Sequence, residues 1–163
     1  MQQKIVTNLW FDTEVEEAAE FYTTLFENSK ILSTTKYPEN APGEREPGTV
    51  MTVEWELEGQ RFVGINGGPE FKFDEAVSLQ IECKDQEEVD YFWEKLGDGG
   101  EEGPCGWLKD RFGLSWQVTP AGMDELFSDS DPERAQRAME CMLKMRKLDI
   151  DELRRAADGV AAG

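Results

Sequence analysis

No histidine occurs among the 163 residues. That absence excludes His-based acid–base catalysis, Ser-His-Asp and Cys-His nucleophiles, and every metal site built on imidazole. Cysteine is scarce too. Cys83, Cys105 and Cys141 are an odd set without C-x-x-C spacing, which argues against a disulfide framework and a structural zinc site. The compartment expected from this is the reducing cytoplasm. No apolar run approaches the ~20 residues that a membrane span needs, and the N-terminus has no signal-peptide apolar core. Positive charge is short: 17 Lys and Arg stand against 35 Asp and Glu, a net charge of −18. Such a chain repels phosphate backbones, so neither nucleic acid nor an anionic membrane is an expected partner. The acidic residues are spread along the whole length, which fits a solubility adaptation better than a docking tail for a cationic partner.

Aromatic residues, by contrast, are plentiful. Five Trp, nine Phe and three Tyr within an apolar fraction of 39 % are enough for a packed core, and the length suits one domain. Lys4 to Phe11 reads as a strand. Thr13-x-x-Glu16 has capping-box spacing ahead of a helix to about Glu27, with an apolar stripe of Val15, Ala18, Phe21, Tyr22 and Leu25. Lys30–Tyr37, Thr49–Leu57 and Arg61–Asn66 read as strands, with a proline-rich loop over 38–47 and a break at Asn66-Gly-Gly-Pro69. Ala76–Cys83 begins the pattern again, Asp85-x-x-Glu88 opens a second helix, and Val89, Phe92, Trp93 and Leu96 form its stripe.

An offset of 71 residues lays the first strand–helix unit on the second without a gap. Glu17 meets Glu88, Phe21 meets Phe92, Tyr22 meets Trp93 and Leu25 meets Leu96. The element order is β-α-β-β-β twice, an internal duplication whose copies would pack to share a core and a cleft. The expected fold is therefore α+β: two βαβββ modules (1–68 and 74–120) forming a cupped mixed sheet, with residues 121–163 as a helical C-terminal tail of the same domain. In that tail, Asp131-Pro132-Glu133 is a helix start for a segment ending near Lys147, and Asp149-x-x-Glu152 caps a last helix that stops at Gly159.

Cys105 to Thr119 concentrates the chemistry. It reads as a hairpin: Trp107 and Leu108 in one strand, Asp110-Arg-Phe-Gly113 as the turn, Leu114 to Thr119 returning and Pro120 ending the ladder. Alternation places Ser115, Gln117 and Thr119 on one face and Leu114, Trp116 and Val118 on the other. Cys105 and Asp110 are the only catalytic candidates, and both are weak. Cys105 has no His and lies near Glu101 and Glu102, while Asp110 most simply makes the turn. Trp10 and Trp107 are candidate walls of an aromatic pocket.

Leu9-Trp-Phe-Asp12, Glu17-Ala-Ala-Glu-Phe-Tyr22, Asn66-Gly-Gly-Pro69 and, above all, Cys105-Gly-Trp-Leu-Lys-Asp-Arg-Phe-Gly-Leu-Ser-Trp-Gln117 carry a resemblance. The chain resembles the vicinal oxygen chelate superfamily (glyoxalase and bleomycin-resistance proteins) and, within it, the PhnB-like group often labelled 3-demethylubiquinone-9 3-methyltransferase domains. The resemblance implies a homodimer and a small-molecule ligand. In metal-using members the ligands stand on the first and last strands of each module. Those positions fall near Thr7 and Ser78 on the two first strands and at Gln117 on the last strand of the second, while on the first module's last strand, Phe62 to Asn66, the register is open. None of these is a carboxylate or an imidazole, so no metal and no cofactor are expected. Trp10, Asn66, Trp107 and Gln117 make up the expected ligand-binding set. The reading is a protein that holds a small organic molecule in a metal-free cup. Its alternatives are an enzyme of the superfamily acting without His and a dimeric structural protein. No Gly-rich βαβ unit for S-adenosylmethionine is present, so methyl transfer is not expected.

Overall fold

A computed structural model describes residues 3–160, and the chain divides between Phe73 and Asp74 into two compact units. The first contains β1 (Thr7–Phe11), α1 (Val15–Leu25), β2 (Ser29–Lys36), β3 (Val50–Leu57) and β4 (Gln60–Asn66). Its sheet runs β1-β4-β3-β2, with β1 parallel to β4 and the other pairs antiparallel. In β3, Val53, Trp55 and Leu57 are buried, while the intervening Thr52, Glu54 and Glu56 lie on the more open face. The β3–β4 turn is made by Glu58 (φ 49°) and Gly59 (φ 79°), two consecutive positive φ values that suit a tight hairpin with right-handed twist.

The second unit repeats the order with β5 (Ser78–Cys83), α2 (Gln86–Gly97), β6 (Glu101–Glu102), β7 (Trp107–Lys109) and β8 (Ser115–Pro120). Its sheet runs β5-β8-β7-β6, again with one parallel pair, β5 and β8. The chain is thus α+β with two βαβββ modules, and a helical tail follows. The two-residue β6 supplies the strand that the repeated order calls for; no segment stood out for it in the sequence, because glycines surround it.

Val89, Phe92, Trp93 and Leu96 are all buried, as the periodicity of α2 requires. Asp85 accepts a hydrogen bond from the Glu88 N–H at 2.9 Å, so the second helix has the expected local cap. The first helix does not. Thr13 lies outside α1, whose N-cap position is Glu14 and has no side-chain cap. The orphan N–H of Val15 instead donates to Asn66 Oδ1 at 2.9 Å, and Asn66 Nδ2 donates to the Val50 carbonyl at 3.1 Å. A residue at the end of β4 therefore caps a helix 51 positions earlier, which no local spacing could reveal.

The 71-residue offset holds for the helices but not for the strands. Leu9 and Phe11 are buried on the α1 side of the first sheet, and Leu9 pairs with Gly64, where an added Cβ would meet Val15 and Trp55. In the second sheet the helix-side set is Leu79, Cys83, Leu108 and Trp116; Glu102, paired with Leu108, accepts from the indole of Trp93 on α2. Odd-numbered residues of β1 and β5 both face their helix, so the strand offset has to be even. Since alternation has a period of two, a one-residue slip exchanges the faces. Thr7 consequently lies on the helix side while Ser78 lies on the opposite face, and the two are not equivalent.

The tail contains α3 (Met123–Phe127), α4 (Pro132–Met142) and α5 (Ile150–Ala157). Asp131 and Asp149 cap the last two as expected. Helix α4 stops five residues short of Lys147 because the chain turns to pair with the second module: Cys105 N–H and Gly106 N–H donate to the carbonyls of Met145 and Arg146, each at 2.8 Å. Gln86 on α2 donates to the Leu148 carbonyl and accepts from the Ile150 N–H. Leu148 and Leu153 are fully buried.

Candidate functional site

The hairpin of β7 and β8 pairs Trp107 with Gln117, Leu108 with Trp116 and Lys109 with Ser115. Its turn is held by a buried carboxylate. Asp110, 2 % exposed, accepts from the backbone N–H groups of Phe112 (2.9 Å) and Leu114 (3.1 Å) through Oδ1, and from the Trp116 indole (2.9 Å) through Oδ2. This is a structural carboxylate, buried and engaged on both oxygens by three N–H donors. Gly113, at φ 88°, completes the turn.

On the face away from α2, Trp107, Lys109, Ser115 and Gln117 stand together, with Ser78 beside them. Trp107, Lys109 and Ser115 border a pocket of about 390 Å³ whose lining also includes Glu75, Glu101, Glu102, Gly103, Pro104 and Leu108. Lys109 Nζ forms an ion pair with Glu75. The hydrogen bond from Lys109 holds the Glu75 carboxyl below its ordinary range, and the same contact, reinforced by Glu101 and Asp74, pushes the ammonium up. Ser115 is 1 % exposed, and its hydroxyl has no hydrogen-bond partner. A buried unpaired hydroxyl costs about 1–3 kcal/mol, so a group that supplies its partner is favoured.

Gln117 Nε2 donates to Ser78 Oγ at 2.9 Å, and Gln80 Nε2 donates to Thr119 Oγ1 at 3.0 Å. Of the residues expected at the ligand, Trp107 lines the pocket and Gln117 is its register partner. Trp10 and Asn66 belong to the first module. Trp10 donates from its indole to the Gly68 carbonyl at 2.9 Å, meets Phe71 edge-on and covers Gly67. Asn66 uses both ends of its carboxamide on backbone groups. Cys105 is half-buried with its backbone tied to the tail, and its φ of 57° places it in the left-handed region. Cys83 is buried, and desolvation, aided by Glu88 and Asp85, pushes its thiol up to about 12, so it is inert. Glu75, Lys109 and Ser115 were not singled out from the sequence. Alternation across the hairpin was the available signal, since it places Lys109 on the face of Trp107 and Ser115 on that of Gln117.

The family model described as 3-demethylubiquinone-9 3-methyltransferase matches residues 3–119. The chain belongs to that family. This PhnB-like chain is 40 % identical to the PhnB protein of Bacillus cereus, with a TM-score of 0.64 over 73 % of this chain and 100 % of that one. A protein from Pseudomonas aeruginosa shares the fold at 17 % identity and a TM-score of 0.60, covering 73 % of this chain and 98 % of its own. The fosfomycin resistance protein FosX of Listeria monocytogenes shares it at 13 % identity and a TM-score of 0.53, over 77 % of this chain and 96 % of its own. No curated protein matches the chain.

Metal-using members of the superfamily invite a test of this donor set. Ser78 and Gln117 are neutral and hydrogen-bonded to each other, and Thr7 is on the other side of its sheet. Among the described residues, no group of three or more Cys, Asp or Glu is placed to hold an ion. Thr7, Ser78 and Gln117, the residues carried over from the superfamily resemblance, are neutral and are a poor donor set for a divalent metal.

Proposed function

We propose that the protein binds a small organic molecule on the open face of its second-module sheet, without a divalent metal. The observation that carries this reading is the unpartnered, buried Ser115 hydroxyl in a pocket of about 390 Å³ walled by Trp107 and Lys109. Pockets of that size suit small ligands, and a few polar groups beside an aromatic wall fix their orientation. Binding is favoured over catalysis because Asp110 is engaged by three N–H donors and the chain has no histidine to activate Cys105. Methyl transfer, the activity in the family's description, finds no support in two small sheets that lack a glycine-rich strand–helix turn. The same proposal has the protein acting as a cytoplasmic homodimer. Three free cysteines support the compartment, and the superfamily resemblance supports the assembly.

Native mass spectrometry of the protein purified without chelators, with metal analysis of the same sample, tests the reading. A co-purifying organic mass that is lost from Trp107→Ala and reduced in Ser115→Ala is expected, with no stoichiometric metal. Equal retention by both variants would move the site elsewhere, and one equivalent of a divalent ion would refute the metal-free claim.

A further inference from the structure

The charges around the pocket narrow the class of ligand it takes. Three carboxylates, Glu75, Glu101 and Glu102, line it against one ammonium, Lys109. That ammonium is already matched. It is paired with Glu75, and Glu101 is its register partner across the β6–β7 ladder. Glu102 gives one oxygen to the Trp93 indole at 3.0 Å and keeps the other. An anion entering here would have to displace Glu75 from Lys109 against the remaining carboxylates, within a chain carrying a net charge of −18. A cation meets attraction from the same groups, and the Trp107 indole offers it an aromatic face. The carboxylates alone would be an acidic cluster of no special meaning. The independent observation is Ser115, buried beneath them with a hydroxyl that no protein group satisfies. The carboxylates are not gathered closely enough to chelate a metal ion, so the charge they favour belongs on a larger body.

We infer that the pocket selects a small organic cation, a planar or apolar body bearing a protonated amine or amidine, with the cationic group at Glu75 and Glu101, the body on Trp107 and one polar atom at Ser115. This rests on the proposed pocket and names its ligand class. Glu75 is then a shared partner. It neutralises Lys109 while the pocket is empty and is drawn toward the ligand when it is filled.

Three probes of one shape separate the charges: benzamidine, benzamide and benzoate, which at neutral pH are cationic, neutral and anionic. Binding would be followed by ligand-observed NMR and by calorimetry on the full chain. Benzamidine should bind about tenfold more tightly than benzoate, with benzamide between them, and the preference should shrink in high salt. Glu101→Gln should weaken benzamidine severalfold, whereas Glu39→Gln, an exposed loop position remote in sequence, should leave it unchanged. Lys109→Met should tighten it, a gain that a damaged fold cannot imitate. Preference for benzoate, or weaker benzamidine binding in Lys109→Met, would overturn the cation assignment. If that binding were still lost in Trp107→Leu, the pocket itself would stand. No binding by any of the three probes would overturn the cation assignment too, leaving the pocket to be judged by the retained mass.

Discussion

Both modules bury a tryptophan between sheet and helix, yet they do it from different strands and finish it differently. In the first, Trp55 on β3 is fully buried and packs over Gly64 of the neighbouring β4, stacking on Phe62 at 6.0 Å. In the second the bulk has moved to the other strand: Trp116 stands on β8, and its partner on β7 is Leu108. The polar end of the ring is handled differently. Trp116 donates to Asp110, so the indole, the turn and the hairpin become one network. The Trp55 indole N–H is buried without a partner. Correspondingly, the β3–β4 turn depends on the backbone of Glu58 and Gly59, while the β7–β8 turn depends on a side chain. Duplicated modules can therefore reach the same fold with one loosely and one tightly specified hairpin.

The sharpest way to break this comparison is Asp110→Ala. It leaves three N–H groups without their acceptor in a buried turn, and a loss of about 3 kcal/mol or more is expected in urea unfolding. Loss of less than about 1 kcal/mol would mean that the network does not hold the hairpin. Asn66→Ala comes next, at about 2 kcal/mol, because it removes the cap of α1 and a bond to β3 together; Asp85→Ala, which removes only a local cap, should cost about 1 kcal/mol. Equal losses would erase the distinction between a cap from across the module and a cap from the next turn. The smallest effect sharpens the tryptophan contrast. Trp116→Phe should cost about 1 kcal/mol more than Trp55→Phe, since only the former takes a donor away from a buried carboxylate.

Much of this was legible in the sequence, and the exceptions share a cause. Helices α2, α4 and α5 start where Asp85, Asp131 and Asp149 put them, because those caps act within three residues. The stripe of Val89, Phe92, Trp93 and Leu96 and the glycine of the hairpin turn are equally local. Asn66 is the counterexample. Its role depends on β4 lying parallel to β1, a pairing that no window of sequence contains. Thr13 had the right spacing for a cap and was passed over when a better acceptor arrived from elsewhere. The offset of 71 fitted the helices, whose faces tolerate a drift in phase, and misassigned the strands, whose faces do not. At the site, Trp107 and Gln117 stood out by residue type. Lys109 and Ser115 are ordinary residues whose significance comes from the partners placed, or not placed, around them.

The backbone bonds from Cys105 and Gly106 to Met145 and Arg146 have a consequence for the order in which this protein can be made. Synthesis delivers the aromatic wall and the Ser115 strand by residue 120. The bend that carries Gly103 and Pro104 to the pocket's rim gains its anchor only when a segment forty residues further along has emerged. On the ribosome the sheet can form first and the rim must follow. A nascent chain arrested before Met145 would thus hold the strands of the hairpin without the backbone bonds that anchor the bend at Cys105 and Gly106.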